Sequence, residues 1–480
     1  MENNIMLDSD SYKFGHPCAY LPGTQYIYSY LEARKGAKYN KTLWFGLQYI
    51  LMNYLAGEVV TKRKIEEAKW YIDQHLGPGV FIDNGAYSVD GKKIFEGWNY
   101  ILEKYNGKLP VRIKAVPEGT LVDIGNVLMT VENTDPNVPW LTNYLETILM
   151  HVWYPTTVAT QDWETKELLK YYLDRTSATN KGWDGLPFML HGFGMRAATS
   201  LESCAIADAA HLINFQGTDT VPALKFIEKW YSGNTAFPGY SVFATEHSIM
   251  TSRGEDGEWD VLENILKNKP NGIISIVIDS YNYQRFVDMC GTKYKDIILN
   301  RNGRTVFRPD SGDPITVTLD VLNRLGYYFG FERNKGNFKV LNDKVRVLWG
   351  DGIDYEGIRN VLFALFNEGW AAENMVFGMG GHMVQAGLTR DTMRFAFKCS
   401  AQMYNNEWHD VWKEPLDLTK ASKRGRLALI HVQDANCNRF FKTIREEELQ
   451  DGSKNRLVTV FENGEIKKFY SFDQIRQNVL

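Results

Sequence analysis

Three aspartates stand at or just beyond the ends of short apolar runs: Asp279 in IISIVIDSYN, Asp310 in RTVFRPDSGD and Asp351 in VRVLWGDGI. A carboxylate in such a place can accept hydrogen bonds from sugar hydroxyls, and cations accompany it. RPDSG supplies Arg308, and HGFGMR supplies His191, Phe193 and Arg196. Taken singly, surface arginines and aspartates form solvated pairs of little energetic value. Collected at one rim they resemble a phosphate and ribose site, because guanidinium forks bind phosphoryl oxygens bidentately. The glycines of GDG and FGMGGH, among them Gly350, Gly380 and Gly381, let backbone amides approach an anion with no Cβ in the way, or else form tight turns.

Two further residues have a structural and a chemical reading. His247, in GYSVFATEHSIM, is either a hydrogen-bonded packing residue in an apolar strand or an imidazole presented to a ligand, with Glu246 or Asp279 to orient it. Asp219, in NFQGTDTV, is either a cap or Asx-turn residue, or a carboxylate that accepts from a ligand amide and repels a ligand carboxylate.

These residues need a frame that brings strand ends together. From about residue 185, Val-, Ile- and Phe-rich runs end in polar or Gly-rich turns, and helical segments lie between them: SLESCAIADAAHLI, DPITVTLDVLNRLGYYF and EGIRNVLFALFNEGW. The first of these places Leu201, Ala205, Ala209 and Leu212 on one face. The alternation predicts an irregular α/β barrel over residues 151–389, with its ligand site at the carboxyl rim. TQYIYSYLEAR, GKLPVRIKAVPEGTLVDIGNVLMTVENTD and NRLVTVFENGEIKKFYSF alternate polar and apolar residues with hairpin-like turns. They predict a second, β-rich domain from residues 1–150 and 390–480.

At 480 residues, 44% hydrophobic and 23% charged with a formal charge of −4, the composition is ordinary for a globular protein, has no basic block for nucleic acid, and comes with a size that permits an enzyme. No stretch reads as a signal peptide or a bilayer span, so a cytoplasmic protein is expected. Cys18, Cys204, Cys290, Cys399 and Cys437 form no CxxC pair and read as buried, reduced thiols.

HGFGMR, FQGTDTV, PGYSVFATEHS, SIVIDSYN, RPDSG, GDG, FGMGG and LTRD occur in the order found in the nicotinamide phosphoribosyltransferases. The resemblance runs from DSDSYK through GLQYIL, IKAVPEG and TVENTDP to YSFDQIR, nearly the whole chain. It implies a type II phosphoribosyltransferase barrel, and a homodimer with two active sites at the subunit interface. The implied reaction joins nicotinamide to phosphoribosyl pyrophosphate, giving nicotinamide mononucleotide and pyrophosphate, with Mg²⁺ as cofactor and ATP as co-substrate. By the same resemblance His247 is transiently phosphorylated, Phe193 and a partner subunit's copy of Tyr12 sandwich the pyridine ring, and Asp219 meets the amide. Arg196 and Arg308 hold phosphate, Asp310 and Asp279 order the ribose and its magnesium, and Gly350, Asp351, Gly380 and Gly381 line the phosphoribosyl pocket. Arg34, Arg390 and Lys398 reach in from the other chain. The sequence departs from the pattern at Ala396, where relatives can place a serine, and the stretch from GMGGH to LTRD is one residue longer than in vertebrate members.

Three rivals share some of these features. A glycoside hydrolase barrel uses rim carboxylates but has little need of Arg196, Arg308 and a glycine loop. A nicotinate phosphoribosyltransferase is opposed by the charge of Asp219. A non-catalytic ligand sensor would bind without turnover.

Overall fold

The computed structural model describes residues 2–76, 94–177, 184–233, 236–413, 421–433, 437, 439–450 and 454–479. The chain divides into two compact units, one of residues 1–160, 230–233 and 388–480, the other of residues 161–229 and 234–387.

The second unit is built on a seven-stranded parallel sheet. Its spatial order is Gly217–Thr218, Leu190–Gly192, Met375–Met379, Val345–Trp349, Thr305–Arg308, Ile274–Val277 and Phe243–Ala244. The ends of this sheet are linked: Thr218 N donates to Tyr240 O at 3.0 Å, and Tyr240 N donates to Gln216 O at 2.8 Å. Thr305–Arg308 shows why the sequence is apolar here: Thr305, Val306 and Phe307 are buried beneath flanking helices, and only Arg308, at the carboxyl end, emerges. Helices follow the strands, among them Leu201–His211, Tyr283–Thr292, Pro314–Phe329 and Tyr355–Asn367. Their starts are fixed by side-chain caps from Ser200, Asn282, Asp313 and Asp354 onto backbone N–H groups. Parallel strands followed by capped helices bring every strand–helix loop to one rim.

Three expectations change in detail. Leu201 does not join the buried face of its helix; it lies in the first turn, 68% exposed, while Cys204, Ala205, Ala207 and Asp208 are buried instead. His247 is not in a strand: the strand ends at Ala244 and His247 opens the short helix His247–Met250. None of the five cysteines is in a disulfide, but only Cys204 and Cys290 are buried, and Cys437 is exposed.

The first unit carries a seven-stranded antiparallel sheet that interleaves the two chain ends, in the order Glu407–Asp410, Phe395–Tyr404, Thr24–Ala33, Val127–Asn133, Val111–Ala115, Val458–Glu462 and Glu465–Ile466. The last hairpin turns at Asn463 and Gly464, with φ of 52° and 81°, the left-handed pair that a tight right-twisted turn requires. Trp98 anchors the core beside the sheet, edge-on to Trp140 and Tyr144 at 4.8 and 5.1 Å between ring centroids. Among the described residues, no helix is long and apolar enough to cross a membrane.

Candidate active site

A cavity of about 710 Å³ opens at the carboxyl rim of the parallel sheet. Phe193, Arg196, Asp219, Glu246, Arg308, Asp310, Gly350, Asp351, Gly380 and Gly381 all line it. Residues separated by up to some two hundred positions in sequence thus meet because they lie at the carboxyl ends of six strands of one sheet. A second cavity of about 720 Å³, lined by His191, Ser275, Val306, Leu348 and Val376 among others, shares Phe193, Asp219 and Arg308 with the first.

Phe193 leaves its strand with its N–H bonded to Met379 O at 3.0 Å, and its ring lies on Gly378. A Cβ at Gly378 would sit 2.1 Å from Phe193 Cε2, so the ring's position depends on that glycine. Gly380 and Gly381 differ: a Cβ would meet nothing nearer than 3.4 and 3.6 Å respectively, so packing alone does not demand glycine there. What their bare backbones leave open is cavity.

Asp219 enters the cavity from the loop after Gly217–Thr218. Its N–H donates to Gly192 O at 3.0 Å, and its Oδ1 accepts from Ser241 Oγ at 2.5 Å. It stands two residues before the helix Val221–Trp230. Beside it His191 is buried, and burial, only partly offset by the Asp219 charge, pushes its pKa down to about 4. His191 is therefore neutral at physiological pH.

His247 Nε2 lies 3.2 Å from Asp279 Oδ1, with the imidazole 47% exposed and the carboxylate 5% exposed. Asp279 also accepts from Ser311 Oγ through its other oxygen, while Glu246 accepts from Ser248 Oγ. Asp279, not Glu246, orients the histidine. Arg308 is held on one side, its Nη2 donating to Thr245 O at 2.7 Å, and its buried Nε has no protein acceptor. Asp310 has a raised pKa: burial is the main cause, Asp279 and Asp351 add to it, and Arg308 and His247 oppose it. Such a crowd of carboxylates favours the arrival of positive charge.

Tyr12, Arg34, Arg390 and Lys398 do not line this cavity; they belong to the first unit. Tyr12 is 64% exposed on the turn Ser11–Gly15, next to Lys13, whose buried ammonium is tied to Glu146 at 2.8 Å. Arg34, Arg390 and Lys398 share a separate cavity of about 580 Å³ with Arg394 and Lys413, and Ala396 lines it too. Burial lowers the Lys398 pKa, and Arg34, Lys413 and Arg390 lower it further against the opposing pull of Glu146. Arg34 Nε is 3.7 Å from Glu32 Oε1, too far for a hydrogen bond, so this guanidinium keeps donors free for an anion. The sequence reading missed Arg394, which directly precedes the strand bearing Lys398, and Lys413, which follows the next strand Glu407–Asp410, and it missed Gly378 and Ser311, which lie inside motifs it did single out.

The fold is that of the type II phosphoribosyltransferases. Nicotinate-nucleotide pyrophosphorylase from Pyrococcus furiosus superposes with a TM-score of 0.61 over 99% of this chain and 95% of that one, at 14% identity. Human nicotinic acid phosphoribosyltransferase gives 0.59 over 98% and 92%, also at 14% identity. Residues 188–465 match the nicotinate phosphoribosyltransferase family, and residues 4–113 match the N-terminal domain of nicotinamide phosphoribosyltransferase. The nicotinamide phosphoribosyltransferase of Xanthomonas campestris pv. campestris is 41% identical across 99% of this chain and 97% of its own length. That of Acinetobacter baylyi is 31% identical across 98% and 96%. The chain belongs to the nicotinamide phosphoribosyltransferase family, a group of pentosyltransferases.

Proposed function

We propose that this chain transfers the phosphoribosyl group of phosphoribosyl pyrophosphate to nicotinamide, giving nicotinamide mononucleotide and pyrophosphate in NAD salvage. The observation that carries the reading is one cavity in which an aromatic ring and a carboxylate, Phe193 and Asp219, meet two arginines and a glycine loop. A flat uncharged base suits the first pair, and phosphoryl oxygens suit the second group. Nicotinate is the poorer acceptor, because its carboxylate would face Asp219.

In the transfer a bond forms between the pyridine nitrogen and the anomeric carbon as the bond from that carbon to pyrophosphate breaks. Positive charge develops on the ribose and negative charge on the leaving group. Asp310 and Asp351 face the sugar, while Arg196 and Arg308 take the phosphates, so that fixed charges match the transition state without reorganising. Phe193 and Asp219 hold the base at the distance from which attack is productive. Mg²⁺ fits the site as an oxygen-liganded cation that neutralises pyrophosphate when bound. Among the described residues no three side chains form a ready-made metal cage, so Asp279 and Asp310 would hold it together with substrate oxygens.

In this reading ATP is the co-substrate that phosphorylates His247. With Nε2–H donated to Asp279, Nδ1 carries the lone pair. An N–P bond forms at Nδ1 as the bond between the γ-phosphorus and its bridging oxygen breaks, and ADP leaves. The phosphoryl oxygens then help place magnesium and pyrophosphate. The functional unit is a homodimer in which the exposed Tyr12 and the cationic cavity around Arg34, Arg390 and Lys398 complete the partner's site. In this reading the enzyme works in the cytoplasm, where thiols stay reduced.

The test compares nicotinamide and nicotinic acid as acceptors, with and without ATP, following pyrophosphate release and ³²P incorporation from γ-labelled ATP. Nicotinamide should be preferred, ATP should raise its rate, and His247→Ala should abolish the label. A preference for nicotinic acid, or a label that survives in His247→Ala, contradicts the reading.

A further inference from the structure

Beneath the walls of the base slot lies a buried charged network that the proposed reaction does not use. His211 and Asp162 are both 0% exposed, with His211 Nδ1 2.7 Å from Asp162 Oδ2. His211 Nε2 lies 2.9 Å from Gly217 O. A carbonyl only accepts, so Nε2 carries a proton, and the ring pairs with Asp162 as an imidazolium. Burial opposes that charge, but Asp162 and then Asp208 outweigh it, and the His211 pKa is raised. His211 ends the helix Leu201–His211, where a cation suits the helix dipole, and its ring stacks on Phe215 at 5.3 Å.

The network grips the segment 217–220 at successive residues. His211 takes the Gly217 carbonyl, and Asp208 Oδ1 accepts from Thr218 Oγ1 at 2.7 Å. Asp219 N–H is taken by Gly192 O, and Thr220 N–H donates to Thr218 Oγ1 at 2.9 Å. Asp208 also abuts the strand that delivers Phe193, since a Cβ at Gly192 would fall 1.9 Å from its Oδ1. What remains unbound by this lattice is the Asp219 side chain, which points to the cavity and Ser241. A buried ion pair is weak evidence of added stability, because apolar groups of the same size often serve as well. Its value lies in geometry.

We propose that His211, paired with Asp162, is a positioning residue for the pyridine slot: its Nε2–H fixes the Gly217 carbonyl and so the direction in which Asp219 meets the base. This rests on reading the cavity as a nicotinamide site, and the experiment keeps the two apart. Two double variants are made, Asp162→Asn with His211→Gln, and Asp162→Asn with His211→Leu; both remove the ion pair together, the buried Asp208 loses its cationic neighbour equally in the two, and only the first keeps a donor for Gly217. Both are compared with the parent for the KM of nicotinamide, the KM of phosphoribosyl pyrophosphate, the nicotinamide to nicotinic acid ratio of kcat/KM, and Tm.

The leucine pair should raise the nicotinamide KM by about tenfold or more and erode the ratio, while the KM of phosphoribosyl pyrophosphate stays within about twofold. The glutamine pair should bring the nicotinamide KM back to within about threefold of the parent. Equal losses for both substrates in the leucine pair, or a glutamine pair as impaired for nicotinamide as the leucine pair, would overturn the assignment. If the leucine pair does not accumulate as folded protein, the glutamine pair decides: a nicotinamide KM raised about tenfold with Tm near the parent's also overturns it. A parent that forms no nucleotide from nicotinamide defeats the functional reading, and this inference with it.

Discussion

Replacing Asp219 by Asn isolates one charge with little change of shape. The Asn oxygen still accepts from Ser241, the backbone bond to Gly192 is untouched, and only the negative charge at the cavity is lost. For nicotinic acid bound with its carboxylate where the amide of nicotinamide would lie, the two like charges would be about 4 Å apart. At an effective dielectric near 20 the repulsion is about 4 kcal/mol, and in bulk water about 1 kcal/mol. Asp219 is exposed to an open cavity, so an intermediate value of about 2 kcal/mol is the appropriate one, or roughly thirtyfold in selectivity. Nicotinamide loses only the charge-assisted part of one hydrogen bond, a several-fold effect of about 1 kcal/mol. The assay is the initial rate of nucleotide formation from each acceptor, well below its KM, at saturating phosphoribosyl pyrophosphate. The nicotinamide to nicotinic acid ratio of kcat/KM should fall by about thirtyfold or more. A ratio unchanged within about twofold would refute the electrostatic account, whatever happened to the absolute rates.

Asp310→Asn should abolish turnover yet raise Tm. A carboxylate whose folded pKa lies above its unfolded value is harder to ionise in the native state, so its charge subtracts stability at neutral pH; the gain in Tm over the parent should shrink as pH falls toward about 4, and a Tm below the parent's at neutral pH would contradict this. Gly378→Ala should displace the Phe193 ring, lowering kcat/KM for nicotinamide by about tenfold and stability by about 1–3 kcal/mol; wild-type kinetics would show that the ring's seat is unimportant. Asp279→Asn should cut His247 phosphorylation by about tenfold or more without removing the nucleophile, read as ³²P incorporation, because the amide no longer stabilises the charged imidazole in the transfer. Equimolar Tyr12→Ala and His247→Ala subunits, unfolded and reassembled together, should recover about one quarter of the parent's ATP-stimulated increment in rate, since half the dimers would carry one intact site of two; no recovery would argue against sites shared between chains.

The barrel was legible because its strands are buried on both faces. IISIV, TVF and VRVLW are mostly apolar, their single polar residues Ser275, Thr305 and Arg346 are themselves buried, and each stops where an Asp, Gly or Arg turns outward. Two helical segments were read from their capping residue, Ser200 and Asp313, which bond to backbone three residues on, while the third was read from Glu356, two residues after its cap Asp354. The rim residues could be grouped because strand ends in a parallel sheet share one side. What the pattern did not give was contact. Glu246 and Asp279 were equal candidates for His247, and only the loop after Ile274–Val277 brings a carboxylate to the ring. Gly378 looked like one glycine among several until the Phe193 ring lay on it. His211 and Asp208 sit in a helix whose small apolar residues hide them, Asp162 sits among polar residues of the helix Trp153–Thr176, and a buried ion pair leaves no periodicity to read. Arg34, Arg390 and Lys398 entered through the family resemblance alone, since their spacing carries no local signal.

The most direct measurement is product stoichiometry from the purified chain given nicotinamide, phosphoribosyl pyrophosphate and Mg²⁺, in the parent and in Arg308→Ala. The account predicts nicotinamide mononucleotide and pyrophosphate in equal amounts from the parent, and almost none from the variant. Pyrophosphate without the nucleotide, neither product, or an unimpaired variant would contradict it.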